Sequence, residues 1–98
     1  MNVLNLLSSS LGRRDEVPNQ GLAQKILSIN DINAIKELVS LLHHPKTAIQ
    51  NDAIKVLYEI GRGNAKLISP YCNEFIALLK SKNNRMVWGT MTALSVIV

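Results

Sequence analysis

The sequence is poor in aromatic residues and has no long apolar run. Among its 98 residues are one Trp, two Tyr and one Phe, although 47% of the residues are hydrophobic. Such an aliphatic composition is typical of helices that pack on one another through interdigitating side chains. Because no apolar run reaches the ~20 residues that a transmembrane helix needs, the sequence predicts no membrane-spanning segment.

Cysteine is nearly absent too, since Cys72 is the only one. An internal disulfide is therefore excluded, and a reducing, cytoplasmic location is the simpler expectation. The first stretch is apolar and serine-rich before Arg13 and Arg14, which is the wrong charge order for a secretory signal. A transit peptide is the alternative, because no acid precedes Asp15, but a terminal helix of the fold is the favoured interpretation.

The charge is mildly basic and is not concentrated anywhere. Eleven basic residues oppose seven acidic ones, for a formal net charge of +4 at pH 7. This balance permits an acidic partner without requiring one. The only tight basic pair is Arg13-Arg14, and no basic block is interleaved with aromatic residues as in nucleic-acid-binding modules. Composition therefore gives little support to a nucleic-acid partner.

The clearest pattern lies between residues 34 and 61 and predicts two antiparallel helices. Apolar residues of the first helix recur at i, i+3, i+4 and i+7, which makes one stripe. These residues are Ile35, Leu38, Val39 and Leu42. Asp31 can cap the start of this helix. The helix should end near His44, because the residue before Pro45 is biased away from helical backbone.

The second helix is predicted to begin at Thr47, which has capping-box spacing with Gln50. Gly61 is expected to end it, as glycine often does just past a helix terminus. Its apolar stripe consists of Ile49, Ala53, Val56, Leu57 and Ile60. Neither helix can bury its stripe alone, so the two must pack on each other and on neighbours.

The rest of the chain carries weaker copies of this helix pair. Adding 37 to the positions of Leu38, Leu42, Ile49, Leu57 and Ile60 gives Phe75, Leu79, Met86, Leu94 and Ile97. Subtracting 31 from Ala53, Leu57 and Ile60 gives Leu22, Ile26 and Ile29, with Leu4, Leu7 and Leu11 as the partner helix. Self-similarity at such a period is typical of helical solenoids.

The central pair carries further signals at its turn and in its second helix. They are Leu41-Leu42, His44-Pro45, and Ile49 followed by Ala53, Leu57 and Gly61. On these residues the chain resembles HEAT repeats, tandem helix pairs of a superfamily that includes the armadillo-like relatives. Many HEAT repeats carry an Asp in the turn and an Arg after the branched residue of the second helix. Here Lys46 or Thr47 and Gln50 hold those places.

The resemblance implies an all-α fold, a right-handed α-solenoid of about three antiparallel helix pairs. One domain would cover residues 1–98, with repeats at about 1–29, 31–61 and 65–98. Helices are predicted over residues 2–11, 19–29, 32–43, 47–61, 70–81 and 84–98. The predicted core comprises Leu38, Leu42, Ile49, Leu57, Ile60, Phe75, Leu79 and Leu94.

The last predicted helix ends with neither a glycine nor a polar tail. Solenoids normally finish with a polar-faced capping repeat. We therefore expect either that the chain is cut from a longer array or that this edge meets a partner, with self-association through the C-terminal helix as one form of that contact. Val87, Met91 and Val98 are the apolar residues expected there.

A polar face opposite the core stripe is the candidate binding surface. It combines one line of the second central helix with the matching face of the last helix. The predicted partner-binding residues are Asn51, Lys55, Tyr58, Arg62, Trp88 and Thr92. The resemblance implies that such helices line a concave wall, and exposed aromatics beside arginine are typical of interface hot spots. The alternative for Trp88 is that it leans onto a neighbouring loop or terminal helix.

Catalytic and metal-binding interpretations find little support in the residues. His43 and His44 are adjacent, so they do not share a helix face, and they favour a helix C-terminus over a metal site. Cys72 aligns with the core position Ile35, which predicts a buried, inert thiol. Asp52 and Glu59 share one helix without an apparent acid–base partner. Gly61-x-Gly63 lacks the preceding strand of a phosphate-binding loop. No cofactor, metal or catalytic residue is predicted.

The preferred hypothesis is a non-enzymatic helical-repeat scaffold that binds a protein on its concave face. This step rests on analogy with the superfamily. One alternative is a nucleic-acid-binding protein resembling the HEAT-like DNA glycosylases, whose concave sites combine aromatic, acidic and basic residues. Another is an accessory repeat subunit that helps an enzyme, as among the phycobilin-lyase-like HEAT proteins.

Overall fold

The computed structural model of the chain describes residues 2–13 and 15–97, and these residues are helical without strands. The α-helices are α1 (Val17–Ile29), α2 (Ile32–Leu41), α3 (Thr47–Gly63), α4 (Cys72–Leu78) and α5 (Asn84–Ile97). Single 3-10 turns occupy Leu4–Leu6, Ala65–Leu67 and Ser69–Tyr71. Within the described ranges, each helix is too short or too polar to cross a lipid bilayer.

The predicted starts of α2 and α3 are confirmed, but one capping assignment is wrong. Asp31 accepts a hydrogen bond from the Ala34 amide over 3.0 Å and so caps α2. Helix α3 begins at Thr47, but its N-cap is Lys46, which contributes no side-chain bond. The Gln50 side-chain amide instead donates to the backbone carbonyl of His44 over 2.6 Å and so bridges the turn.

Gly61 does not end α3, which continues to Gly63. A Cβ on Gly61 would lie 2.8 Å from a methyl carbon of Val96 in α5. The side chain of Ile68 also packs against this position. The glycine therefore leaves room for Val96 and Ile68, a packing role that sequence patterns do not distinguish from helix termination.

The expected helix over residues 2–11 is also wrong, because this segment forms the 3-10 turn Leu4–Leu6 followed by further turns. Val3 and Leu7 are nevertheless fully buried. The backbone amides of Val3 and Leu4 both donate to the same oxygen of Glu37 in α2, over 3.1 and 3.4 Å. Two buried side chains and one carboxylate thus hold the segment in a shape that is not a regular helix.

The predicted helix over residues 70–81 is shorter than expected and leaves one predicted core residue exposed. The 3-10 turn Ser69–Tyr71 precedes α4, which ends at Leu78. Leu79 follows α4 and is 39% exposed, while Leu94 is only partly buried. Cys72, predicted to be buried, is half-buried. The other predicted core residues are buried: Leu38, Leu42, Ile49, Leu57, Ile60 and Phe75.

Helix α1 packs along one side of α3 in parallel orientation. Near the starts of the two helices, Asn19 Nδ2 donates to Asp52 Oδ1 over 2.8 Å. Near their ends, Leu27 fills the space beside Gly63, where an added Cβ would lie 2.6 Å from the leucine side chain. Because start meets start and end meets end, the two helices run in the same direction.

Helix α5 packs along the opposite side of α3, also in parallel. Gly89 covers Ile54, and Val96 covers Gly61 further along both helices. Ile54 and Gly61 each lie two positions from an α3 residue that faces α1, which is a rotation of about 200° on an α-helix. Helices α1, α3 and α5 therefore form a row with α3 in the middle.

Helices α2 and α4 form a second layer on this row. Helix α2 packs on α3 and α4 packs on α5. The core between the layers is aliphatic around Phe75, with Leu38, Leu57 and Ile60 fully buried. Since α3 is covered by α1, α2 and α5, one face of it is left open, and that face carries the predicted polar line.

The core assignment predicts different outcomes for two leucine substitutions. Leu57→Ala should lower the free energy of unfolding by about 2–5 kcal/mol, because it removes fully buried methyl groups and leaves a cavity. Leu79→Ala, at a position 39% exposed, should cost about 1 kcal/mol or less. Urea unfolding followed by circular dichroism measures both, and equal losses would contradict the described core.

Candidate functional site

A groove of about 320 Å³ runs along the open face between α3 and α5. Helix α3 supplies Asn51, Asp52, Ile54, Lys55 and Tyr58, α5 supplies Arg85, Trp88, Gly89 and Thr92, and Glu16 precedes α1. A second cavity of about 290 Å³ adjoins it and reaches the N-terminal segment at Ser8, Ser9 and Arg13. The two cavities share four residues, so they form one continuous depression.

The α3 wall of the groove is built around Tyr58. Lys55 Nζ lies 4.8 Å from the centre of the tyrosine ring and Arg62 Cζ lies 4.9 Å from it. Glu59 holds both cations, with oxygen distances of 3.6 Å to Lys55 and 2.7 Å to Arg62. This cluster stiffens long side chains that would otherwise be disordered in water.

Lys55 stays charged in this cluster. Partial burial acts to lower the pKa of Lys55. The neighbouring Tyr58 side chain and the carboxylates of Glu59 and Glu16 act in the opposite direction, and the net pKa of Lys55 lies above its usual value. The groove therefore offers a permanent cation beside an aromatic ring at neutral pH.

Trp88 forms the opposite wall and is 69% exposed. Neither a described loop nor the N-terminal segment covers its indole, so the alternative in which it leans on a neighbour does not hold. Burial of apolar surface is worth about 25 cal/mol per Å². An indole left in water forgoes that stabilisation, which makes Trp88 the least compensated large side chain of the groove.

Gly89 and Ile54 form the floor of the groove. A Cβ on Gly89 would lie 2.8 Å from both γ carbons of Ile54. Ile54 is buried, and a β-branched side chain has few rotamers with which to move aside. The glycine thus sets the close spacing of α3 and α5 and keeps the depression beside Trp88 open.

A buried polar bridge closes the end of the groove near the helix starts. Asn19 is fully buried, and its side chain accepts from the Ser8 amide over 2.9 Å and donates to Asp52. The other oxygen of Asp52 accepts from the Ser9 amide over 2.8 Å. These bonds attach the N-terminal segment to both α1 and α3, so Asp52 holds structure as well as lining the groove.

The structure brings together most of the predicted surface. Asn51, Lys55, Tyr58, Trp88 and Thr92 line one groove. Arg62 lies outside that lining but stays on the same wall through its contact with Tyr58. Whether these residues bind a partner stays a prediction.

Besides Ile54 of the floor, sequence reasoning missed Glu16, Asp52, Arg85 and Gly89 as groove residues. Gly89 gave a usable signal, because a glycine inside a helical pattern often marks a close approach of another backbone or side chain. The other three come together only through the packing of α1, α3 and α5. No local pattern would have grouped them.

The acidic residues weighed as catalytic or metal-binding candidates make structural or surface contacts. Asp52 and Glu59 are both committed to the structural contacts given above. His43 Nε2 lies 3.4 Å from a Glu74 carboxylate oxygen at the exposed surface. Across residues 2–13 and 15–97, His, Cys, Asp and Glu form no group of three or more that could hold a metal ion.

The chain has no match among protein-family models, curated proteins or solved structures. Its resemblance to HEAT repeats, carried by residues such as His44-Pro45, therefore remains a prediction. Function has to be inferred from the groove itself.

Two glycine-to-alanine substitutions should change stability in opposite directions. Gly21→Ala, with open space around the new Cβ, should stabilise the protein by about 0.5–1 kcal/mol through helix propensity. Gly89→Ala gains the same propensity but forces Ile54 off its position, at a cost of about 1–3 kcal/mol. We therefore expect a net loss of up to about 2 kcal/mol for Gly89→Ala. Equal stabilisation in thermal unfolding would contradict the close α3–α5 contact.

The polar bridge predicts a local effect for Asp52→Ala. The substitution leaves the Ser9 amide without its acceptor and the Asn19 side-chain amide with Glu16 alone, over 3.3 Å. The loss should cost about 1–3 kcal/mol. In this variant, the hydrogen-exchange rate of the Ser9 amide should rise much more than the rates of amides in the middle of α3. Glu74→Ala, at the exposed surface, is the control and should stay within about 0.5 kcal/mol of the wild type. Unchanged exchange at Ser9 in Asp52→Ala would show that the bridge does not hold the segment.

Proposed function

We propose that the chain is a non-enzymatic, HEAT-like α-solenoid domain that binds a protein partner in the groove between α3 and α5. The observation that carries this proposal is the 69% exposed Trp88 facing a wall in which Tyr58 is flanked by two cations. Tryptophan, tyrosine and arginine are the residues most enriched in the energetic centres of protein interfaces. The groove is also rigid on its floor, which lowers the ordering cost of binding.

The charges of the groove favour a protein over a nucleic acid. Its lining contains two acidic residues, Glu16 and Asp52, and two basic ones, Lys55 and Arg85. A surface that follows a phosphate backbone gains its affinity from an excess of lysine and arginine. Balanced charge with aromatic and amide groups suits a polypeptide, whose backbone offers donors and acceptors and whose side chains carry both signs.

The repeat architecture is supported by the positions of the helix starts. Thr47, the first residue of α3, and Asn84, the first of α5, are 37 residues apart. Ile32, the first of α2, and Ser69, the first of the turn that leads into α4, are separated by the same number. Such an offset is typical of tandem helix pairs, although α4 itself begins at Cys72, 40 residues after Ile32. The right-handed solenoid is part of the proposal through the resemblance to HEAT repeats.

The test compares Trp88→Ala with Ile32→Ala, which truncates a half-exposed residue in the other layer. Each protein is immobilised and its bound proteins are identified by mass spectrometry, followed by affinity measurement with the purified partner. Trp88→Ala should unfold at nearly the wild-type temperature and bind at least about tenfold more weakly, the effect of losing about 1.4 kcal/mol. Ile32→Ala should bind like the wild type.

Two results would count against the proposal. One is a Trp88→Ala variant whose melting temperature falls by several degrees, which would place the indole in the core. The other is retention of duplex DNA by the wild type with a steep loss at higher salt, the behaviour of a surface that neutralises phosphates.

A further inference from the structure

The row of helices α1, α3 and α5 has two ends, and both expose apolar side chains. Met91 lies two positions after Gly89, the residue that contacts α3, and so projects about 200° away from α3. At the other end, Gly21 lies two positions after Asn19, the α1 residue bonded to α3, and projects away from α3 for the same reason.

At the α5 end, positions that are buried in the central helix pair have exposed counterparts. Val39, Leu42 and Ile54 of the central pair are buried. Their counterparts 37 positions later are Ile76, Leu79 and Met91, which are 51%, 39% and 49% exposed. Three positions that are buried in the central pair, one of them in contact with α5 through Ile54, are therefore exposed in the last pair.

At the α1 end, an apolar groove of about 250 Å³ lies between the N-terminal segment and α1. Its lining consists of Leu6, Leu11, Pro18, Gly21, Leu22 and Lys25. Leu11 is half-exposed, and Gly21 adds open space where a side chain would otherwise stand. The groove can therefore admit side chains projecting from another helix.

We propose that the chain associates head to tail with a second copy of itself, the α5 end of one copy docking on the α1 groove of the next. A second copy is proposed because the exposed positions of the α5 end match positions that are buried in the central pair, where α3 contacts α5. Met91 is the counterpart of Ile54, the α3 residue that contacts α5. The outer side of α5 can therefore contact a further helix pair in the same way. The α1 end of a second copy offers such a pair with an apolar groove.

The two surfaces differ, so the interface is heterologous and does not close as a two-fold dimer does. Each added copy leaves one free surface of each kind, and the assembly grows with concentration. The proposal concerns the ends of the row and not the Trp88 groove, so the failure of either proposal leaves the other standing.

The test uses the 98-residue chain with Met91→Glu at one end or Leu11→Glu at the other, studied by sedimentation velocity over a concentration series. The wild type should gain mass beyond the dimer as concentration rises. Each variant alone should remain monomeric, because it lacks one of the two surfaces. An equimolar mixture should form a dimer and nothing larger, because the intact α1 groove of one variant receives the intact α5 end of the other.

Ile32→Glu is the matched control, since Ile32 is also about half-exposed but lies on α2, at neither end of the row. It should associate like the wild type, and circular dichroism should show wild-type helix content for every variant. If Met91→Glu does not fold, Ile76→Glu takes its place. A wild type that stays monomeric at millimolar concentration overturns the proposal. So does a mixture that stays monomeric, or a dimer abolished by Met91→Glu and unaffected by Leu11→Glu.

Discussion

The close contact between α3 and α5 is the constraint on which the groove depends. Gly89 makes it against Ile54, while Gly61 packs against both Ile68 and Val96. A larger residue at Gly89 would push the helices apart, and the lining residues of the two walls would separate with them. The usual helix penalty of about 1 kcal/mol per interior glycine is thus offset by tertiary packing.

The same packing explains why one face of α3 is left open. With α1 and α5 on opposite sides and α2 beneath, the core takes every apolar residue of the α3 stripe. The remaining line of Asn51, Lys55, Tyr58 and Arg62 has no described helix above it. Glu59 and the tyrosine ring then hold the two cations in place, so the face is ordered before any partner arrives.

The central helices and the polar face of α3 could be predicted from the sequence, because local and long-range preferences agree there. The starts of α2 and α3 followed from a strong apolar period and from the start signal of Asp31, whereas the end of α3 beyond Gly61 did not. The polar face of α3 followed from helical spacing alone. These inferences needed only the geometry of one helix, which the sequence encodes directly.

Other features depend on contacts with neighbouring helices and could not be predicted from the local sequence. Leu42 and Leu79 occupy matching positions, yet one is buried and the other is 39% exposed, because no described helix pair covers the second. The N-terminal segment has helix-like leucine spacing, but carboxylates from α2 and α3 bind its backbone amides and give it another shape. Arg85 joins the groove only because α5 lies beside α3.

The central claim is that the groove beside Trp88 is where a partner binds, and the single tryptophan of the chain allows a direct test. Fluorotryptophan labelling gives one fluorine NMR resonance, whose accessibility to a soluble paramagnetic quencher can be measured with and without the captured partner. The account predicts an indole that is readily quenched in the free protein and protected at saturating partner. An indole already shielded in the free protein, or one equally accessible when the partner is bound, would contradict it.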